Sequence, residues 1–176
     1  MVQWLDDRLE SRRPGWDLRW NQPHQWHVTT VFCPEVDDEQ LDDFVDGLAE
    51  VARGTAPFEL AIRGGGAFPE LVRARHLIAL LDDPADGLPE LARGSRRAAR
   101  RAGIQIESRP YQPHLTLARA NRPSDLSAWE PVLQDLDGPR FGVAELALVR
   151  STLDTRQHGR ATHTPVARLP LGDHRF

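Results

Sequence analysis

A chain of 176 residues, 40% hydrophobic and 27% charged, fits one domain, or one domain with two lobes, and can bury a core. A formal net charge of −4 excludes a generally basic nucleic-acid coat, though not a local basic cleft. Cys33 is the one cysteine, so an intrachain disulfide and a cysteine-based zinc site are excluded, and every one of the 22 basic residues is arginine, so an anion clamp must be a guanidinium.

The N-terminus lacks a signal-peptide pattern and no apolar run approaches membrane-spanning length. A cytoplasmic, monomeric protein with no membrane partner is the expectation. Residues 3–13 place Trp4, Leu5 and Leu9 on one helical face, and Pro14-Gly15 ends that helix. Residues 16–20 alternate apolar and polar and predict a short strand, followed by a turn over 21–24. A strand is expected over about 25–33, stopping at Pro34, with Cys33 as a buried thiol. Asp37 and Asp38 open a helix to about Arg53, with Leu41, Phe44, Val45, Leu48 and Val51 at helical spacing. Residues 58–62 predict a strand. The glycines at 64–66 predict a bulge or bend, because no helix and no Lys-Ser/Thr follows to make a phosphate loop. Residues 76–81 predict an apolar strand and 88–103 a helix with a face of Arg93, Arg96, Arg97, Arg100 and Arg101, either solvated or touching an RNA backbone. A strand over about 112–119, a helix from 123 to 136, a strand over 141–149, a polar loop over 156–160 and a last strand over 164–171 complete the chain.

Two of these strands carry the same short pattern: His27-Val-Thr29 and His114-Leu-Thr116. A given His meets a Thr two places on by chance about 5% of the time, so well under one such pair is expected from the composition. Side chains on a strand alternate faces, so the His and Thr of each pair point the same way. Two imidazoles and two hydroxyls lining one groove suit acid–base chemistry on a phosphate. The element order supports a groove, since helix–strand–helix–strand–strand occurs twice with a motif strand at the same place in each. This duplication predicts an α+β fold of two pseudo-symmetric lobes, each an antiparallel sheet with flanking helices, around a central cleft. The whole chain, 1–176, then forms a single bilobal domain with interleaved lobes and one motif in each.

The pattern resembles the two-histidine (2H) phosphoesterase superfamily, and within it the bacterial RNA 2′,3′-cyclic phosphodiesterases, historically called 2′-5′ RNA ligases. The resemblance rests on Arg19-Trp20, Trp26-His-Val-Thr29, Pro57-Phe-Glu-Leu60, Gly66-Ala-Phe-Pro69, Pro113-His-Leu-Thr-Leu-Ala-Arg119 and Ala167-Arg-Leu-Pro-Leu171, and covers the chain from about residue 16. One departure is that family members usually begin with an apolar strand before the first helix, whereas Met1 here starts inside that helix. Either the start is truncated or that strand is lost, and the aromatic contacts such a strand offers a base are left open by this departure.

The resemblance implies hydrolysis of RNA 2′,3′-cyclic phosphate ends to 2′-phosphomonoesters without metal or cofactor. It implies His27 as proton donor, His114 as proton acceptor, and Thr29, Thr116 and Arg119 as phosphate-binding residues. Arg119 lies on the opposite strand parity from Thr116 and has to bend round near the strand end. His24, His76, His158, His163 and His174 are scattered and expected to be surface or structural. The partners implied are RNA ends or small cyclic nucleotides. Three other readings use the same residues: a 2H enzyme acting on another cyclic phosphate, RNA ligation, and a non-catalytic RNA-binding module with Trp20, Trp26 or Tyr111 as stacking platforms.

Overall fold

The β-branched and aliphatic runs form antiparallel sheets and the amphipathic runs form α-helices, giving the α+β class that the sequence implies. This computed structural model describes residues 1–10, 17–154 and 160–172. Contacts divide the chain into two compact units, each gathered from three stretches. The first comprises Met1–Thr29, Glu59–Ala85 and Gln112–Gly142, and the second Thr30–Phe58, Asp86–Tyr111 and Val143–Phe176. Both His-x-Thr pairs fall in the first unit, so the division follows contacts rather than the two sequence halves.

The first unit is built on a five-stranded sheet. Helix α1 (Val2–Glu10) precedes β1 (Leu18–Trp20), and β2 (Phe58–Phe68), β3 (Ala74–Asp82), β4 (His114–Ser124) and β5 (Asp137–Val143) complete the sheet in the order β1-β4-β3-β2-β5. One face is apolar because alternate residues of the central strands are. Leu77 and Ala79 of β3, and Leu115, Leu117 and Ala118 of β4, are buried against Leu5 and Leu9 of α1 and Trp129, Leu133 and Leu136 around the short helix α4 (Glu130–Gln134). Each buried leucine contributes about 1.5–3 kcal/mol. The opposite face carries the polar residues of the two motifs.

β4 contains one residue more than its neighbour. Ala118 is across from Leu77 and Thr116 from Ile78, so Leu117 is a β-bulge. Leu117 and Ala118 both point into the core and both are fully buried. The strand therefore changes parity there, and Arg119 emerges on the same face as His114 and Thr116. Asn21 clasps this point from the other side: its backbone N–H donates to the Leu117 carbonyl at 2.9 Å, and its side-chain Nδ2 donates to the Thr116 carbonyl at 2.9 Å.

In the second unit, α2 (Asp38–Arg53) and α3 (Gly87–Arg101) pack together, and α2 also packs on a hairpin of β6 (Glu145–Asp154) and β7 (Arg160–Pro170). α2 starts on a capping box in which Asp37 N–H donates to Gln40 Oε1 at 3.1 Å, and Asp38 and Glu39 in its first turn favour the helix dipole. α3 approaches α2 through small residues: a Cβ at Gly94 would meet Val51 Cγ1 at 2.6 Å. Arg93, Arg97, Arg100 and Arg101 of α3 are exposed, while Arg96 donates to the Arg109 carbonyl at 2.9 Å and lies over the Tyr111 ring. Cys33 is half-buried, and burial pushes its thiol pKa up.

Several expected boundaries move for identifiable reasons. Residues 25–33 do not form a strand: Pro23–Gln25 is a 3-10 turn and Val28 alone makes a bridge, to Leu115. Pro23 lacks the N–H that a ladder needs, so the chain leaves β4 after Trp20 and returns at Val28. The expected helix from 123 is shorter and later. β4 runs to Ser124, Asp125 Oδ1 accepts bonds from the backbone and hydroxyl of Ser127, and the helix waits for Glu130. The expected strand over 141–149 is two strands that part at Ala144, whose carbonyl accepts from Leu171 N–H. Pro14-Gly15, Trp16 and the loop over 156–159 lie outside the described residues.

The glycine run is a bulge, as its composition implies. The β2–β3 register shifts between Ile62 and Gly65, Gly64 adopts φ +72°, and its N–H donates to the Leu136 carbonyl at 2.6 Å. A Cβ at Gly65 would sit 2.7 Å from the Ile78 carbonyl oxygen and 2.7 Å from Leu133 Cδ2, whereas one at Gly66 meets nothing within 4 Å. Gly65→Ala should therefore cost about 1–3 kcal/mol by overpacking against backbone. Gly66→Ala should be neutral or slightly stabilising. Urea denaturation of the two variants checks this, and equal midpoints would contradict it.

Candidate active site

The site lies within the first unit, where β4 presents one motif and the returning chain at Val28 presents the other. Val28 and Leu115 form an antiparallel bridge. Carried one step either way, that register sets His27 across from Thr116 and Thr29 across from His114. Directly opposed residues in an antiparallel pair have Cα atoms about 4.5–5.5 Å apart. The two histidines and two threonines thus occupy the corners of one small patch, on the face away from Leu115. His27 and Thr29 are exposed, and His114 and Thr116 are half-buried.

Both imidazoles are held in the same way. His27 Nδ1 lies 2.7 Å from the carbonyl oxygen of Gln25, and His114 Nδ1 lies 2.8 Å from the carbonyl oxygen of Gln112. A carbonyl only accepts, so Nδ1 carries a proton in each ring. Neutral imidazole then has its lone pair on Nε2. The 3-10 turn that interrupts the first strand is what presents the Gln25 carbonyl to His27. Phe68 of β2 packs edge-on against His114, with ring centroids 4.9 Å apart at 85°, and fixes the ring plane.

Arg119 joins this face through the bulge in β4. Register aligns Arg19 of β1, Arg119 of β4, His76 of β3 and Phe68 of β2 in one row across the sheet. Burial, then Arg19 opposite, lowers the Arg119 pKa, so the row gathers positive charge beside the imidazoles. Such a face favours a phosphate. No set of three or more His, Cys, Asp or Glu side chains converges on a metal position among the described residues.

The expected residues His27, Thr29, His114, Thr116 and Arg119 all reach this face. Trp20 does not: it packs on Trp129 with ring centroids 5.1 Å apart, and Trp26 packs, partly buried, on the same core. His24 sits exposed in the 3-10 turn, and His158 and His174 lie outside the described residues. Two participants were not expected. Asn21 read as a turn residue, and its clasp on the bulge has no local signature. His76 read as scattered. Its strand pattern was visible, but its alignment with Arg119 depends on the bulge.

Two carbonyl-anchored imidazoles and two hydroxyls thus share one patch, with an arginine beside them. The chain belongs to the 2′-5′ RNA ligase superfamily, whose family model matches residues 5–155. A protein of Thermus thermophilus named RNA 2′,3′-cyclic phosphodiesterase is 32% identical over 169 residues, covering 86% of this chain and 83% of the relative. One of the same name from Bacillus subtilis (strain 168) is 32% identical over 101 residues, covering 57% of this chain and 55% of the relative. Among solved structures, a Thermus thermophilus protein matches with a TM-score of 0.81 at 31% identity, over 98% of this chain and 93% of the other. Escherichia coli LigT complexed with 3′-AMP matches with a TM-score of 0.76 at 25% identity, over 97% and 90%. No helix among the described residues is long and apolar enough to cross a membrane.

One stability consequence follows from the charges. The His76 pKa is lowered, first by burial, then by Arg119, His114 and Arg75. As pH falls, the unfolded chain takes up this proton before the folded one, so folding opposes protonation. Stability is unaffected by His76 well above its ordinary pKa of about 6.5 and declines as pH drops from there through the lower folded value. The urea midpoint should therefore fall further between about pH 7.5 and about pH 5.5 in the unmodified protein than in His76→Gln, which cannot titrate. Parallel declines in the two proteins would refute it.

Proposed function

We propose that this chain is an RNA 2′,3′-cyclic phosphodiesterase that works without a metal, with His27 and His114 as its acid–base pair. The observation that carries the reading is the shared anchoring of the two imidazoles on one patch with Thr29 and Thr116. Family membership and the names of the relatives support the substrate class.

A 2′,3′-cyclic phosphate is a strained diester. Opening it requires a base for water and an acid for the departing 3′ oxygen. His114, neutral, accepts a proton from water at Nε2 as the water oxygen attacks phosphorus. The P–O3′ bond breaks on the far side, and the 3′ oxygen takes the proton from Nε2 of His27. The product is a 2′-phosphomonoester, and the two rings exchange protonation states before the next turnover. Nδ1–H stays on its backbone carbonyl in both states, so neither ring has to turn during the cycle. Thr29 and Thr116 donate to the non-bridging oxygens, where negative charge builds, and Arg119 binds the charge the phosphate already carries in the bound substrate. Each histidine lies across from the threonine of the other pair, so acid and base face opposite sides of the phosphorus, as in-line displacement requires.

The test is product analysis on an oligoribonucleotide ending in a 2′,3′-cyclic phosphate, with chelator-dialysed protein. A 2′-phosphate end is expected. His27→Ala and His114→Ala should each lower the rate by at least about a hundredfold while circular dichroism stays unchanged. Near-normal turnover in either variant, or activity that only an added divalent cation restores, would sink the proposal.

Thr29→Val and Thr116→Val keep shape and strand preference and delete only the donor. Each should raise the barrier by up to about 2.7–4 kcal/mol, less where water substitutes. The loss should appear in kcat rather than KM if the bond tightens in the transition state. A variant that loses nothing would show its hydroxyl turned from the phosphate.

A further inference from the structure

We propose that His76, a third imidazole on the catalytic face, is a positioning residue that aims Arg119 at the phosphate. The inference rests on the proposed reaction and on Arg119 binding the anion.

The geometry is specific. His76 and Arg119 are direct register partners on β3 and β4, and Arg119 Nη1 lies 2.9 Å from His76 Nε2. A guanidinium only donates, so His76 Nε2 must hold a lone pair and its proton must sit on Nδ1. Only neutral His76 makes this bond. The other register partner of His76 is Phe68, whose ring is the one that packs on His114. His76 thus sits between the side chain that aligns His114 and the guanidinium itself.

Arginine has many rotamers, and an arginine that must find its anion loses much of that freedom on binding. One bond to His76 uses one of its five donors and fixes the plane of the fork. The remaining donors are then pre-set for a phosphate, which is tetrahedral and takes a fork in two parallel bonds. An aliphatic residue at 76 would leave the same charge in place and lose the aim. This separates position from charge, and gives the inference a readout that a merely structural histidine would not move.

The charged groups that reach His76 are Arg119 and His114 from β4 and Arg75 from its own strand, and the β2 residue across from it is the uncharged Phe68. All three can be cationic. A protonated His76 would lose its acceptor and face them as a fourth positive charge. Arg119 would be released as pH falls, and substrate affinity would decline on the acidic side independently of the two catalytic histidines.

The experiment is steady-state kinetics of the full chain on an oligoribonucleotide with a 2′,3′-cyclic phosphate end. The proteins compared are wild type, His76→Leu, His76→Gln, Arg119→Ala and the double variant His76→Leu/Arg119→Ala. His76→Leu should raise KM about two- to tenfold, the worth of one hydrogen bond, with kcat changed by less than about twofold. His76→Gln, which keeps an acceptor, should stay near wild type and should lose the acidic rise in KM. In the Arg119→Ala background His76→Leu should add nothing. A multiplicative effect in the double variant, an effect on kcat alone, or failure of Gln to restore KM would overturn the proposal. A readout independent of turnover is the ¹⁵N order of the Arg119 Nε–H. It should fall in His76→Leu and recover in His76→Gln, and unchanged order in His76→Leu would equally overturn the inference. If wild type opens no cyclic phosphate, the proposed reaction fails, and the order measurement still decides whether His76 holds Arg119.

Discussion

The bulge at Leu117 decides what the sheet can do. A regular strand would have sent Arg119 into the core with Leu115 and Leu117, where an unpaired guanidinium is not tolerated. One extra residue turns Leu117 and Ala118 inward together and delivers Arg119 to the side of His114 and Thr116. The distortion is held by Asn21, which satisfies the two carbonyls at the irregular point. Bulges commonly re-aim side chains beside functional sites. Here the cost is borne by a core that gains a second buried apolar residue in succession.

The same arrangement separates two demands on one sheet. The inner face must be dry and tightly packed, and it is, from Leu5 to Trp129. The outer face must hold rings and hydroxyls at fixed positions yet leave room for a ligand. Space of this kind exists over Gly66, where an added Cβ meets nothing, next to Gly65, where it would strike the Ile78 carbonyl. Adjacent glycines thus have different reasons to be small: one for packing below, the other leaving the surface above uncovered.

Much of this was legible in the sequence. The two His-x-Thr pairs, their common face and the helix and strand classes followed from period-two and period-3.6 patterns, which report directly on burial. The parity of Arg119 was misleading because a bulge breaks the period without altering any residue type. The strand expected over 25–33 failed for a related reason: β-branched residues surround His27, but Pro23 and the 3-10 turn divert the chain, and only Val28 returns to β4. Anchoring of the imidazoles was invisible for a different cause. The residue two before each histidine is a glutamine, yet the bond uses the backbone carbonyl, which every residue has. His76 and Asn21 act through partners 43 and 95 positions away, and no local pattern announces a contact of that range.

The first unit is stitched from three stretches, and this bears on when the protein first becomes chemically competent. β4, next to the edge strand β1 in the sheet order, belongs to the third stretch, and β1 can pair with nothing until it exists. Closing so long a loop is entropically costly and slow, so these pairings form late and together. During synthesis the first histidine emerges long before the strand that completes its surroundings. A partly made chain therefore holds His27 without the strand that carries His114, and the pairing of β1 with β4 marks completion of the first unit's sheet.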